Sequence, residues 1–151
     1  SKAHHPDVVN HAVKFVEKKD NIKFDYVLML QPTSPFRKSN HIDEAIKKFL
    51  NEKNDSLIAI KKQDYPPWWM FVLKKEKLGQ FIKFKNKNVF NLERQEFPKL
   101  YRPNGAIYIS KRSVLFKGNL INPKSCGYYV MHEKDSIDID NLIDLKVAEN
   151  I

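Results

Sequence analysis

The strongest chemical signal in the chain is a pair of carboxylates one residue apart, Asp138 and Asp140, in the run Ser136-Ile137-Asp138-Ile139-Asp140. On an extended backbone alternate side chains share a face, so both carboxylates point the same way. Two hard oxygen ligands on one face suit Mg²⁺, which keeps several waters and also binds substrate phosphates. An acidic pair just before a helix also complements the positive end of the helix dipole, so the pair alone leaves both roles open. A second group lies in the loop Gln31-Pro32-Thr33-Ser34-Pro35-Phe36-Arg37. Gln31, Thr33 and Ser34 offer an amide and two hydroxyls to a sugar or a base, and the prolines stiffen the loop and lower the cost of ordering it. The plain alternative is a proline-punctuated turn. A third group, Arg94, Arg102 and Asn104, precedes an apolar run. An arginine fork matches a carboxylate or phosphate, although solvation on the surface explains each arginine equally well, and Asn104-Gly105 is also ordinary turn chemistry.

Other chemistries lack their residues. His4, His5, His11, His41 and His132 are not at metal-ligand spacing, and Cys126 is a lone cysteine with no local catalytic signature. No Gly-X-Ser-X-Gly elbow, Gly-X-Gly-X-X-Gly turn or Walker loop occurs. The four glycines leave little from which to build a phosphate-cradling loop.

The elements that must position these groups follow from the apolar spacing. Val8, Val9, Ala12, Val13, Phe15 and Val16 predict an amphipathic helix from Pro6 to Asp20 that ends near Asn21. Tyr26 to Leu30 is a nearly continuous apolar run, the pattern of a strand buried on both faces of a parallel sheet. The loop 31–37 follows at the strand's C-terminal end, where open α/β sheets bind ligands. Asn40 is the expected cap of a helix to about Asn51, with Ile42, Ala45, Ile46, Phe49 and Leu50 on its buried face. Ser56 to Ile60 completes a βαβ unit, which argues for a doubly wound α/β fold. Residues 61–100 differ in character. Pro66-Pro67-Trp68-Trp69 is followed by short alternating runs at Gln80 to Lys85 and Asn88 to Leu92, with lysines throughout, which predicts a protruding hairpin excursion. Its aromatics either meet a partner surface or fold back on their own domain. Gly105 to Ile109 and Tyr128 to Met131 return to buried strands, and Asn141 to Glu149 closes with a helix carrying Leu142, Leu145, Val147 and Ala148.

With 151 residues, 42% of them hydrophobic, one globular unit is the expectation. No apolar run has membrane-spanning length and the N-terminus has no signal-peptide core. A single cysteine asks for no oxidising compartment, so a soluble cytoplasmic protein without membrane partners is expected. The formal charge of +9 makes an anionic ligand natural. The cations are mostly lysines spread along the chain rather than an arginine-rich stripe, which argues against nucleic acid as the partner.

Taken in order, Leu28-Met29-Leu30-Gln31-Pro32-Thr33-Ser34-Pro35-Phe36-Arg37, then Tyr101-Arg102-Pro103-Asn104-Gly105-Ala106-Ile107-Tyr108-Ile109, then Ser136-Ile137-Asp138-Ile139-Asp140 leading to Asp144-Leu145, the chain resembles the CMP-sialic acid synthetases, or acylneuraminate cytidylyltransferases, and their legionaminic and pseudaminic acid relatives. The combination is far more specific than any one motif, and it spans most of the chain.

The resemblance implies a Rossmann-like, three-layer nucleotidyltransferase fold and transfer of CMP from CTP to a nonulosonic acid, with release of pyrophosphate and a requirement for Mg²⁺. It implies that Asp138 and Asp140 hold the metal and that Gln31 contacts the sugar. It further implies that Arg94 meets the sugar carboxylate and that Asn104 and Tyr108 complete the sugar side. A homodimer exchanging the arm at 61–100 is implied as well. In the family a basic, glycine-containing loop that cradles the CTP phosphates precedes the first helix seen here. Its absence implies that residues 1–151 are the C-terminal part of one cytidylyltransferase domain, incomplete at the N-terminus and inactive by themselves. The alternatives are a related sugar nucleotidyltransferase, of the CMP-Kdo type or using GTP, and a non-catalytic sugar-binding or dimerisation module.

Overall fold

The computed structural model describes residues 4–85 and 88–151. The chain divides into two compact units, one formed by Ser1–Lys61 with Pro103–Ile151, the other by Lys62–Arg102.

The first unit is an α/β arrangement built on a four-stranded mixed sheet, compatible with a Rossmann-like fold. It begins with helix α1, His5–Asp20, which closes on Asn21 in the left-handed conformation with φ 51°. Strand β1 is Tyr26–Met29, helix α2 is Ser39–Glu52 and strand β2 is Ser56–Gln63. After the second unit, whose strands β3 and β4 are described below, come strand β5, Leu100–Lys111, and the short helix α3, Arg112–Leu115. Strand β6, Cys126–Val130, and helix α4, Leu142–Ala148, follow. The sheet order is β1-β5-β2-β6.

The core lies between α2 and the sheet. Ala45 and Phe49 of α2 pack with Leu57 and Ala59 of β2, Ala106, Ile107 and Ile109 of β5, and Met131. These residues come from the predicted apolar runs, and their removal from water is the main force holding this unit together.

Three expectations change. Strand β1 is neither doubly buried nor in a parallel pair. It lies at the end of the sheet, is half-buried, and runs antiparallel to β5, with Tyr26 opposite Lys111 and Met29 opposite Tyr108. β5 therefore sits between the two strands of the predicted βαβ unit, and the parallel pair is β2 with β6, Ser56 opposite Cys126. Helix α2 starts before Asn40. The Lys38 N–H, at the N-cap position, donates to His41 Nδ1 at 3.2 Å, so the side chain of the third helical residue caps the end. Leu50, expected on the buried face of α2, is exposed, as is Phe15 of α1.

The predicted terminal helix forms, and its start is the capping box that Asn141 and Asp144 make together. The Asn141 side chain accepts from the N–H groups of Ile143 (2.8 Å) and Asp144 (3.1 Å), and Asp144 accepts back from the Asn141 N–H (3.1 Å).

α1 is tied to α3 by a bidentate ion pair. Arg112 Nε and Nη2 donate to the two oxygens of Glu17 at 2.7 and 2.8 Å, and the Phe24 N–H adds a third bond at 3.1 Å. These hydrogen bonds, that from Arg112 first, pull the Glu17 pKa from an ordinary 4.5 down to about 2. A depressed carboxyl pKa contributes stability that is complete above the unfolded value and is lost as pH falls through the folded one. Glu17→Gln is therefore expected to lower the melting temperature at pH 7. The difference from wild type should shrink between pH 4.5 and about 2, which thermal unfolding across that window would check.

The second unit has its own small core. Trp68 stacks on Phe97 with ring centroids 5.3 Å apart, and Trp69, Phe84, Val89 and Leu92 join them. The indole N–H of Trp69 donates to the Val89 carbonyl at 3.1 Å. These tryptophans thus fold back within their own unit, while Tyr65, Leu73, Leu78 and Phe90 stay exposed. The hairpin here is β3, Phe71–Lys74, with β4, Lys77–Gln80, turning through Lys75 at φ 55°. The run expected at 80–85 contributes only Gln80 to a strand, and in the run at 88–92 Val89–Asn91 is a turn of 3₁₀ helix capped by the Asn88 side chain.

No helix among the described residues is long and apolar enough to cross a membrane.

Candidate active site

In the first unit the loop 31–37, the middle of β5 and the segment 131–140 meet, and backbone and side-chain hydrogen bonds hold them together. The Arg37 guanidinium donates from Nη1 to the carbonyls of Gln31 (3.0 Å) and Ala106 (2.8 Å), pinning the loop to β5. Burial pushes the Arg37 pKa below its ordinary value. The Ile139 N–H donates to the Thr33 carbonyl at 2.9 Å, which fixes the residue between the two carboxylates against the same loop.

Asn104 ties the third side. Its Nδ2 donates to Ser136 Oγ at 2.9 Å and contacts Met131 Sδ at 3.2 Å, while its Oδ1 accepts from the Ala106 N–H at 3.1 Å. Ser136 Oγ in turn donates to the His132 carbonyl at 2.8 Å, and Lys61 Nζ donates to the Ser136 carbonyl at 3.1 Å. Asn104 and Ser136 are fully buried, so this network is an internal brace whose members find hydrogen-bond partners, as buried polar groups must. Asp135, also buried, pairs with Lys38 at 3.0 Å. That contact comes first among the causes holding its carboxyl below the usual range, and it anchors the start of α2 beside the acidic segment.

Gly105 is the centre of the arrangement. It lies inside β5 with φ +78°. A Cβ placed there would come 2.5 Å from Gln31 Oε1, 3.2 Å from Asp138 Oδ2 and 3.4 Å from Ser34 Oγ. Three oxygens from two different segments therefore close over one bare backbone position, which only glycine permits. Two of these side chains carry a buried atom that finds no hydrogen-bond partner, Ser34 Oγ and Asp138 Oδ1. Tyr108, half-buried on β5, has its phenol pKa raised by burial and then by the negative charge of Asp138, which puts the two in one electrostatic neighbourhood.

The structure thus brings Gln31, Thr33, Ser34, Asn104, Tyr108 and Asp138 together. Ser34 and Asn104 face the interior rather than solvent, which places them under the site rather than on its surface. Asp140 is exposed, and its N–H donates to Asp144 Oδ2 at 3.0 Å. Arg94 belongs to the second unit. Its guanidinium pairs with the Asp64 carboxylate, and it lines a cleft of about 310 Å³ with Lys62, Gln63, Phe97 and Lys99. Arg102 is also in that unit and exposed.

Among the described residues no three His, Cys, Asp or Glu side chains gather to hold a metal ion. The donor set does fit Mg²⁺ held by one or two carboxylates with waters and substrate oxygens completing its shell, and the unpartnered buried oxygen of Asp138 is an observation of that kind.

Sequence reasoning passed over Arg37, Gly105 and Ser136. For Gly105 the signal was present: a lone glycine inside a strand pattern marks a close approach of another group.

No family model matches the chain. It is similar to "Post-translational flagellin modification protein B" of Campylobacter coli, with 30% identity over 142 residues, 94% of this chain and 59% of that protein. It is similar to an N-acylneuraminate cytidylyltransferase of Escherichia coli O18:K1:H7, with 29% identity over 91% of this chain and 33% of the relative. It is also similar to a pseudaminic acid cytidylyltransferase of Campylobacter jejuni, with 25% identity over 93% of this chain and 59% of the relative. The chain thus spans less than two thirds of the length of each.

Proposed function

From a chain that belongs to the CMP-sialic acid synthetase, or acylneuraminate cytidylyltransferase, family, we propose that the protein containing it transfers CMP from CTP to the anomeric hydroxyl of a sialic-acid-like nonulosonic acid. The anomeric oxygen bonds to the α-phosphorus as the bond to the leaving pyrophosphate breaks, giving the CMP-sugar, pyrophosphate and a proton. The observation that carries this reading is the convergence over Gly105 of Gln31 and Ser34 from one motif and Asp138 from another, with Asn104 bracing the strand beneath.

Within that reading Asp138 and Asp140 hold Mg²⁺. When bound, the ion screens the triphosphate and stabilises charge on the departing pyrophosphate. The remaining work falls to this chain's own groups. Gln31 presents its amide to the sugar from the stiff loop, and Thr33 fixes the acidic segment through its carbonyl. Asn104 holds the strand so that Tyr108 faces the sugar beside Asp138. Ser34 completes the floor. Arg94 is the group we assign to the sugar carboxylate on the family resemblance; here its guanidinium pairs with Asp64, which the sugar carboxylate would have to displace. A nucleotidyltransferase fold with a dimerisation arm at 61–100, a homodimer and a cytoplasmic location belong to the same proposal.

The test is pyrophosphate release by the protein as its gene encodes it, including any residues beyond these 151. The assay supplies CTP, Mg²⁺ and, in turn, N-acetylneuraminic, legionaminic and pseudaminic acids and Kdo. Release with one nonulosonic acid is the expected result and names the substrate. No release with any sugar acid, from folded protein and with GTP tried as well, overturns the reading.

A further inference from the structure

Ser34 is 1% exposed, yet its hydroxyl has no hydrogen-bond partner. Asp138 Oδ1 is in the same condition. A buried hydroxyl and a buried carboxylate oxygen that both go unpaired are costly, since each has given up water and received nothing in exchange. The two side chains are also neighbours. Asp138 Oδ2 and Ser34 Oγ lie 3.2 and 3.4 Å from the same point above Gly105, with the Gln31 amide oxygen 2.5 Å from it. The brace below them does not supply the missing bonds. Asn104 spends its amide on Ser136, Met131 and the Ala106 N–H, and Arg37 spends Nη1 on two carbonyls.

An amide oxygen, a hydroxyl oxygen and a carboxylate gathered at one point, with two of their side chains carrying an unpartnered buried oxygen, describe the receiving end of a cation. We infer that the Ser34 hydroxyl is part of the divalent-cation site, supplying beside Asp138 an oxygen toward the ion or its hydration shell. The inference rests on the reading of Asp138 as a metal ligand and extends it to a residue from the proline-rich loop. It gives that loop a task apart from contacting the sugar. Through Ser34 the loop holds the metal, and through Thr33 it holds the backbone between the two carboxylates. Loop and acidic segment then form one cation-binding device with Gly105 as its floor.

The test is Mn²⁺ binding to the protein as its gene encodes it, followed by the paramagnetic resonance signal of free Mn²⁺, in wild type, Ser34→Ala, Ser34→Cys and Asp138→Asn. Ser34→Ala and Ser34→Cys are each expected to weaken Mn²⁺ binding by about tenfold or more, the usual consequence of losing a group that supports a metal site. Cysteine keeps the volume and offers a soft sulfur that a hard cation does not favour, so a loss shared by both variants is not a packing effect. The melting temperature of the metal-free protein should be unchanged or higher in Ser34→Ala, because an unpaired buried hydroxyl is removed. A hydroxyl with a purely structural role would give the opposite, a lower melting temperature with Mn²⁺ affinity intact, and that overturns the inference. Equal affinity in wild type and both Ser34 variants, with Asp138→Asn unable to bind, overturns the role of Ser34 alone. Equal affinity in wild type and Asp138→Asn, or no Mn²⁺ binding by wild type, overturns the metal reading with it.

Discussion

Asp138→Asn is expected to reduce Mg²⁺-dependent pyrophosphate release by about a thousandfold or more while leaving the protein as stable as before, or more so. The rate loss follows from the magnitude of metal catalysis. A bound ion supplies several kcal/mol of transition-state stabilisation, and each 1.36 kcal/mol is about a factor of ten. Asparagine keeps the shape and removes the charge that holds the ion. The stability follows from the surroundings. Asp138 Oδ1 is buried without a hydrogen-bond partner, so the fold gains no bond from that oxygen that asparagine would remove. Steady-state kinetics with CTP and the sugar acid, beside thermal unfolding without metal, measure both halves. Full activity in Asp138→Asn would remove Asp138 from the site. A large fall in melting temperature would mean that the carboxylate is structural.

Gly105→Ala should cost both stability and turnover. At φ +78° a side chain is strained by about 1–2 kcal/mol whatever the space around it. The new methyl would also stand 2.5 Å from Gln31 Oε1, a contact that cannot exist. Gln31 is flexible at its end, so it is the amide that moves, while Asp138 and Ser34 at 3.2 and 3.4 Å must yield by less. Displacing a substrate-positioning group by about an ångström costs on the order of a hundredfold. A drop of that size in kcat/KM for the sugar, greater than the drop in kcat/KM for CTP, is therefore expected. A variant with a lower melting temperature but wild-type kinetics would show that Gln31 does not touch the substrate.

Much of the first unit was legible because burial writes itself into the chain as apolar runs. Gly-Ala-Ile-Tyr-Ile becomes the centre of β5, and Val8 to Val16 lies within α1. The neighbours of each strand were not legible. The run at Tyr26 to Leu30 looks the same whether its partner is parallel or antiparallel, and the partner, β5, lies far along the chain. The start of α2 was missed because the cap comes from His41, inside the helix, rather than from the expected Asn40.

The site residues were legible as types and not as depths. A serine between prolines suggests an exposed turn, and only the tertiary packing shows that Ser34 is buried. Asp138 and Asp140 look equivalent on paper, yet one is half-buried and the other exposed. Trp68 and Trp69 left two outcomes open, and Phe97, almost thirty residues on, decided between them.

The pairing of Tyr26 with Lys111 bears on how the protein reaches this structure. β1 and β2 both neighbour β5 in the sheet, and residues 64–99 are made between β2 and that strand. Bringing such distant segments together loses chain entropy before any sheet contact forms, and high contact order slows folding. Lys62–Arg102 has an aromatic core of its own, so its early collapse would shorten the effective loop between β2 and β5. Formed early, the aromatic cluster would bring the distant strand closer and speed its arrival.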